Sequence, residues 1–71
     1  MKLAFDPATD SLYIHLNDKP GVESDEIADG VILDFDAEGA LVGIDVQHAR
    51  SRADLSRLLV TKLPLIELSA A

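Results

Sequence analysis

Apolar and polar residues alternate along residues 31–46, on both sides of an Asp-Ala-Glu-Gly run. Alternation with a period of two is typical of β-strands that bury one face. If Glu38 and Gly39 form a two-residue turn, with Gly39 at positive φ, the two arms pair apolar residues only. The predicted pairs are Phe35 with Val42, Leu33 with Ile44, and Val31 with Val46. We therefore predict a β-hairpin, whose opposite face carries Asp34, Asp36 and Asp45.

The same stretch also matches part of an EF-hand calcium loop. Its first, third, fifth and twelfth positions would be the acids Asp34, Asp36, Glu38 and Asp45. An EF-hand needs a helix on each side, yet Pro20, Gly21 and Gly30 precede this stretch and a strand pattern follows it. In addition, Asp45 is one methylene shorter than the Glu that completes an EF-hand loop. We predict solvated aspartates and no metal, with these four acids as the alternative metal site.

A second alternating pattern occupies the N-terminal residues. Two apolar-polar runs flank residues 6–10, where Pro7 presets the φ that a turn requires. The even register pairs Phe5 with Leu12, Leu3 with Ile14, and Met1 with Leu16. We predict a second hairpin with one apolar face.

Residues 22–27 form a weaker strand candidate that carries Glu23, Asp25 and Glu26. Charged side chains protect an edge strand from pairing with other chains. We therefore place this strand at an edge of the sheet.

One short helix is predicted after the strands. Ser51 followed by Asp54 resembles a capping box, and three leucines have helical spacing, which would lay them on the apolar face of the sheet: Leu55, Leu58 and Leu59. Residues 63–68 are apolar but contain Pro64, so we expect extended chain there with no place in a two-layer core. The candidates for a subunit interface are Leu63, Leu65, Ile66 and Leu68.

These elements predict an α+β fold, a small antiparallel β-meander of four to five strands with one C-terminal helix packed on one face. Residues 1–60 would form a single strand-rich domain and residues 61–71 an apolar tail. A chain of 71 residues buries only about 60% of its unfolded surface and is marginally stable alone. We therefore expect a homo-oligomer, most simply a two-fold dimer.

Composition narrows the classes of function. The absence of cysteine excludes disulfides and thiolate metal sites. The sequence has no secretory signal pattern and no apolar run near the roughly 20 residues of a membrane span, so we expect a cytoplasmic protein without membrane contact.

The formal net charge of −7 is unevenly distributed, because residues 1–48 carry 11 acids against Lys2 and Lys19. An acidic surface disfavours nucleic acid and favours a basic protein partner. The alternative is that the acids only maintain solubility.

Few side chains are candidates for catalysis. Tyr13 and His15 are predicted to share the polar face with Lys2, where they could line a groove. His48 closes the last strand and is interpreted as a surface or capping residue. The sequence has no nucleophile triad spacing, glycine-rich phosphate loop or two-histidine metal motif. We predict no catalytic residue and no cofactor.

Four motifs together resemble one known family: FDP at residues 5–7, DSLYI at 10–14, GVILDFD at 30–36 and GALVGIDV at 39–46. Over about residues 1–50 the chain is similar to small bacterial and archaeal proteins grouped as a domain of unknown function, family 2283. The resemblance implies a small strand-rich domain and brings no catalytic residues. It also implies that such a protein is often encoded beside short proteins of toxin–antitoxin type.

We therefore expect a non-enzymatic protein-interaction module, antitoxin-like in binding a basic protein partner. The alternatives are a purely structural homo-oligomer, or a weak metal-binding or hydrolytic protein that uses strand-face carboxylates.

Overall fold

The alternating segments form a single antiparallel sheet. The computed structural model describes residues 1–70, and these contain five strands followed by one short helix. The elements are β1 (Lys2–Asp6), β2 (Ser11–His15), β3 (Glu23–Ala28), β4 (Val31–Phe35), β5 (Leu41–Gln47) and α1 (Ala49–Arg52). The predicted α+β class is confirmed. Ala71, the last residue of the predicted tail, lies outside the described residues.

The strand order is β1-β2-β5-β4-β3, so β5 lies between β2 and β4. The sheet thus consists of a hairpin, β1–β2, and a three-stranded unit, β3–β4–β5. Pairing of β2 with β5 joins the two units, from Ser11 opposite Gln47 to His15 opposite Gly43. This order places β3 at one edge of the sheet, as its charges predicted.

Most of the predicted register is confirmed. In the first hairpin Phe5 pairs with Leu12 and Leu3 with Ile14. In the second hairpin, the observed pairs include Leu33 with Ile44 and Val31 with Val46. Met1 precedes β1 and Leu16 follows β2, so their predicted pairing is not part of the ladder. One face of the sheet is therefore apolar, as the alternation requires.

The two-residue turn and the pairing of Phe35 with Val42 are wrong. Phe35 pairs with Leu41, and a β-bulge in β5 takes up one residue between this pair and the next. The loop has three residues, closed by a hydrogen bond from Asp36 N to Ala40 O of 2.8 Å. Gly39 does take the predicted positive φ, at 83°.

The Asp36 carboxylate explains the longer loop. Its Oδ1 accepts hydrogen bonds from the backbone amides of Glu38, at 3.0 Å, and Ala40, at 2.9 Å. Local side-chain acceptors of this kind stabilise turns that backbone bonding alone would leave open. Asp36 is therefore a buried loop residue, 5% exposed, and not a solvated strand-face aspartate as predicted.

The predicted extent of the helix is also wrong. Helix α1 ends at Arg52, so the three leucines that were predicted to lie on it occupy irregular chain and are exposed: Leu55, Leu58 and Leu59. Ser51 lies inside the helix, where its Oγ donates to His48 O at 2.9 Å. The capping-box interpretation fails because the helix begins two residues before Ser51.

Helix α1 is attached to the two turns at one end of the sheet. The amides of Ala49 and Arg50 donate to the backbone oxygen and Oδ1 of Asp10, each at 3.0 Å. Arg52 Nη2 donates to Asp29 O at 2.6 Å. These contacts hold the end of β5 against the β1–β2 and β3–β4 turns.

The chain has little buried core. Among residues 1–70, the buried hydrophobic residues are Val42 and Ala49 alone. Sheet residues such as Leu3 and Phe5 remain more than a third exposed. Within the same residues, no helix has the length and apolar character needed to cross a bilayer.

Candidate functional site

A cluster of polar side chains lies on the face opposite the apolar one. It draws residues from four strands: Tyr13 from β2, Asp45 from β5, Asp34 from β4 and Ser24 from β3. Tyr13 pairs with Asp45, and Ser24 pairs with Asp34. We call these four residues the tyrosine–aspartate cluster.

Gly43 makes the cluster possible. It lies on β5 between the strands that carry Tyr13 and Asp34. A Cβ on Gly43 would stand 2.5 Å from Tyr13 Cζ and 2.7 Å from Cε1, which no real contact permits. The missing side chain lets the phenol ring lie against β5 at Gly43, since an interior strand glycine allows such close approach.

Both carboxylate oxygens of Asp34 accept hydrogen bonds. Tyr13 donates from its hydroxyl to Oδ2, and Ser24 donates from Oγ to Oδ1 at 2.6 Å. The hydrogen bond to Asp34 raises the pKa of Tyr13 to about 12, with further contributions from burial and from the charges of Asp34 and Asp45. The phenol is therefore protonated throughout the neutral range.

Asp45 is the least satisfied member of the cluster. Its Oδ1 is buried and has no hydrogen-bond partner among residues 1–70. Burial, followed by the negative charge of Asp34, raises the pKa of Asp45. Both effects disfavour its ionised form.

Two members of the cluster, Tyr13 and Asp45, line a shallow groove of about 450 Å³ together with residues such as Asp6, Ser11 and Gln47. The Tyr13 and His15 rings are neighbours on this face, with centroids 4.4 Å apart and planes inclined by 55°. The Tyr13 phenol is protonated and donates to a carboxylate whose two oxygens both accept hydrogen bonds. Such a phenol is a poor base and a poor nucleophile. The geometry favours a structural role, in which Tyr13 ties β2 to β4.

The four acids of the metal-site alternative are divided between two places. Asp34 and Asp45 belong to the cluster, whereas Asp36 and Glu38 belong to the β4–β5 loop. Asp36 Oδ1 is taken by two amides, and its Oδ2 lies 3.9 Å from Lys19 Nζ. In the described part of the chain, no three side chains of His, Cys, Asp or Glu are grouped to hold a metal ion. The expectation that the chain binds no metal stays a prediction.

His48 has a backbone role. It is exposed, takes a left-handed conformation at φ 55°, and precedes α1 without a capping bond from its side chain. Its carbonyl accepts the bonds from Ser51.

Strand β3 is a second candidate site. All six of its residues are exposed. Its acids lie on both faces, because Asp25 pairs with Leu33 of the apolar face and Glu26 with Ile32 of the polar face. Within residues 1–70, β3 has a strand neighbour on one side only. This edge combines available backbone groups with a run of negative charge.

Comparison with known proteins agrees with the fold and the motifs. Residues 2–50 match the family described as "Protein of unknown function (DUF2283)". The chain belongs to this family. No curated protein and no solved structure matches the chain. The family match includes all five strands and ends within α1, so residues 51–71 lie outside it.

The tail, which lies beyond the family match, contains a third candidate site. The interface candidates of the tail are all exposed, by 47% for Leu63, 49% for Leu65, 104% for Ile66 and 74% for Leu68. A groove of about 930 Å³ lies between the tail and the start of β1. We call it the tail groove; its apolar lining includes Met1, Leu3, Leu58, Leu59, Leu63 and Leu65.

Sequence reasoning placed Tyr13 on the polar face but missed its contact with Asp34. The two residues lie on strands that are not neighbours, so no pairing rule connects them. The available signal was Gly43, a lone glycine inside a strand pattern, which indicates a bulge or a close approach. Both occur here, because the bulge lies next to Gly43 and the Tyr13 ring covers it.

Proposed function

We propose that the chain is a non-enzymatic protein-interaction module that binds a basic partner protein along β3. The observation that carries this proposal is the exposed edge strand with Glu23, Asp25 and Glu26. A partner segment in extended conformation can pair with such an edge through backbone hydrogen bonds. Its lysines or arginines would then face the three acids.

The charge distribution supports a basic partner. The acidic residues 1–48 contain the whole sheet, while the cations at residues 50, 52, 57 and 62 follow it. Arg50 lies 3.6 Å from Asp10, and Arg52 donates to Asp29 O. Neither cation reaches an acid of β3 in the contacts of the described residues, so the strand presents uncompensated negative charge.

The same charges give selectivity. Carboxylates along an edge repel a second acidic strand, including β3 of another copy, and so limit uncontrolled pairing. A cationic strand removes that repulsion. Oppositely charged partners also associate faster, in a manner that salt weakens. Strand β3 would thus reject its own copies and accept a basic segment.

The test compares two charge-neutralised variants of the full chain. In the first, E23Q/D25N/E26Q, the three acids of β3 are replaced; the Gln at position 26 keeps an oxygen for the Gly30 amide, which now donates to Glu26 at 3.0 Å. The matched control, D18N/E38Q/D54N, removes the same charge from exposed acids outside β3. The wild type and the two variants are each immobilised and exposed to an extract of cells that naturally produce the wild-type protein.

We expect a basic protein that is retained by the wild type and the control but not by the β3 variant. The purified partner should bind with a dissociation constant that rises steeply with salt. Amide hydrogen exchange in β3 should slow in the complex. A partner that binds all three chains equally, or an extract that yields no partner dependent on β3, would contradict the proposal.

A further inference from the structure

We propose that two copies of the chain form a two-fold dimer in which Ile66 of each copy enters the tail groove of the other. This inference concerns the tail, which lies at residues outside β3. It is independent of the proposed basic partner.

The exposed area of the chain is large enough to accommodate an interface with a second copy. A compact monomer of 7.6 kDa exposes roughly 4,300 Å². This chain exposes 5670 Å², an excess of roughly 1,400 Å² over that scaling. A standard protein interface buries about 800 Å² from each partner. The excess is therefore sufficient for a stable dimer interface.

The tail carries both halves of a self-complementary contact. Leu65 and Glu67 line the tail groove, whereas Ile66 between them does not and is 104% exposed. No residue among 1–70 covers the Ile66 side chain. A two-fold interface is made by one self-complementary patch, and this segment places a protruding residue next to residues that line the groove.

Charge also favours the tail as the place of contact. Two copies of a chain with net charge −7 repel each other. Residues 49–71 carry four cations against Asp54 and Glu67, so this region is mildly basic. Contact through the tail brings together the least acidic parts of the two copies.

The occupant of the tail groove is therefore a second copy rather than a basic protein. An acidic strand and an apolar groove also differ in their response to salt. Binding at β3 should weaken as salt rises, whereas apolar association between two anionic chains should hold or strengthen.

Sedimentation equilibrium of the full chain at tens of micromolar tests the dimer. Two variants address the two halves of the contact: Ile66→Asp changes the protrusion, and Leu59→Asp changes the groove. Leu59 is 74% exposed, so neither change disturbs a packed interior. The matched control is Val22→Asp, which alters a 59% exposed residue before β3. Far-ultraviolet circular dichroism checks that every variant keeps its sheet.

We expect the wild type and V22D to be dimers. Because a charge buried in an apolar contact weakens binding strongly, I66D and L59D should each raise the dissociation constant roughly tenfold or more. A wild-type chain that is monomeric at tens of micromolar overturns the proposal. So does a folded I66D variant that dimerises as tightly as the wild type.

Discussion

Tyr13 donates a hydrogen bond to Asp34 across Gly43, and so links two strands that do not pair with each other. The bond spans the junction between the β1–β2 hairpin and the three-stranded unit. In a sheet with almost no buried interior, this side-chain hydrogen bond adds to the β2–β5 ladder that joins the two units. Its consequences can be measured directly.

The phenol of Tyr13 should titrate well above its ordinary range. The chain has one tyrosine and no tryptophan, so the rise of phenolate absorbance with pH reports this group alone. We expect a pKa of about 12, because the bond to Asp34 favours the protonated form. Asp34→Asn should lower the pKa toward the usual value near 10, while Asp18→Asn should leave it unchanged.

The raised pKa of Tyr13 also determines how the stability of the fold changes with pH. The folded state holds the Tyr13 proton more tightly than the unfolded state. The protonated phenol therefore makes its full contribution to the free energy of unfolding below about pH 10, the ordinary tyrosine pKa. That contribution is lost as the pH rises through the folded pKa of about 12. A wild-type tyrosine that titrates near 10 would show that the bond to Asp34 does not form.

Gly43→Ala should destabilise the sheet. The new Cβ would stand 2.5 Å from Tyr13 Cζ, so the ring must leave its place over β5. Overpacking of this kind costs about 1–3 kcal/mol, measurable by urea unfolding. Introduced into a Tyr13→Ala chain, the same change should cost little, since the clash has been removed. An equal cost in both backgrounds would locate the strain elsewhere.

Gly39→Val should destabilise the β4–β5 loop through its backbone. Gly39 has φ 83°, and a Cβ there would meet nothing within 4 Å, so no steric clash is involved. Because β-branched residues strongly disfavour positive φ, we expect a loss of more than about 1 kcal/mol in the free energy of unfolding. Gly39→Asn is the control and should cost less, because Asn tolerates this conformation. If the Gly39→Val variant and the parent chain have the same urea midpoint, the claim that the backbone at position 39 is strained for a β-branched residue is refuted.

Asp36→Ala should also destabilise the β4–β5 loop, in this case by removing hydrogen bonds. The carboxylate accepts bonds from the amides of Glu38 and Ala40 while 5% exposed. Leaving these donors unpaired costs about 1–3 kcal/mol. Asp36→Asn keeps one acceptor oxygen and should retain most of the stability. If both variants unfold at the same denaturant concentration, the charge of Asp36 beside Lys19 matters more than its bonds to the loop.

We predict no specific calcium binding. The oxygens of Asp34 are occupied by Tyr13 and Ser24, and one oxygen of Asp36 is occupied by the loop. A calcium loop instead directs its carboxylates at one ion. Calorimetric titration should therefore show no saturable heat at micromolar calcium. Saturable binding that Asp34→Ala abolishes would contradict this prediction.

The sequence predicts this fold well wherever strand pairing is local. The period of two located both hairpins, and it gave the pairs Phe5–Leu12 and Leu33–Ile44, because a slip by one residue would turn apolar side chains outward. It miscounted the β4–β5 loop because a bulge in β5 restores the register after a third loop residue. Alternation cannot detect that compensation.

The other errors have different physical origins. Helical spacing of Leu58 and Leu59 predicts a helix only if a surface is present to bury them, and both remain exposed. The tyrosine–aspartate cluster depends on β5 lying between β2 and β4, which is a long-range choice. Tyr13 and Asp34 are 21 residues apart in the chain, beyond any local pattern except the isolated Gly43.

The position of β5 beside β2 also determines the order in which the chain can fold. Each hairpin closes a short loop, whereas the β2–β5 ladder joins Ser11 to Gln47 and must close a long one. Long-range closure carries the larger entropic barrier. We therefore expect both hairpins to form before the β2–β5 ladder forms between them. The rate-limiting step of folding would then respond to changes in β2 and β5, and be insensitive to changes in β3.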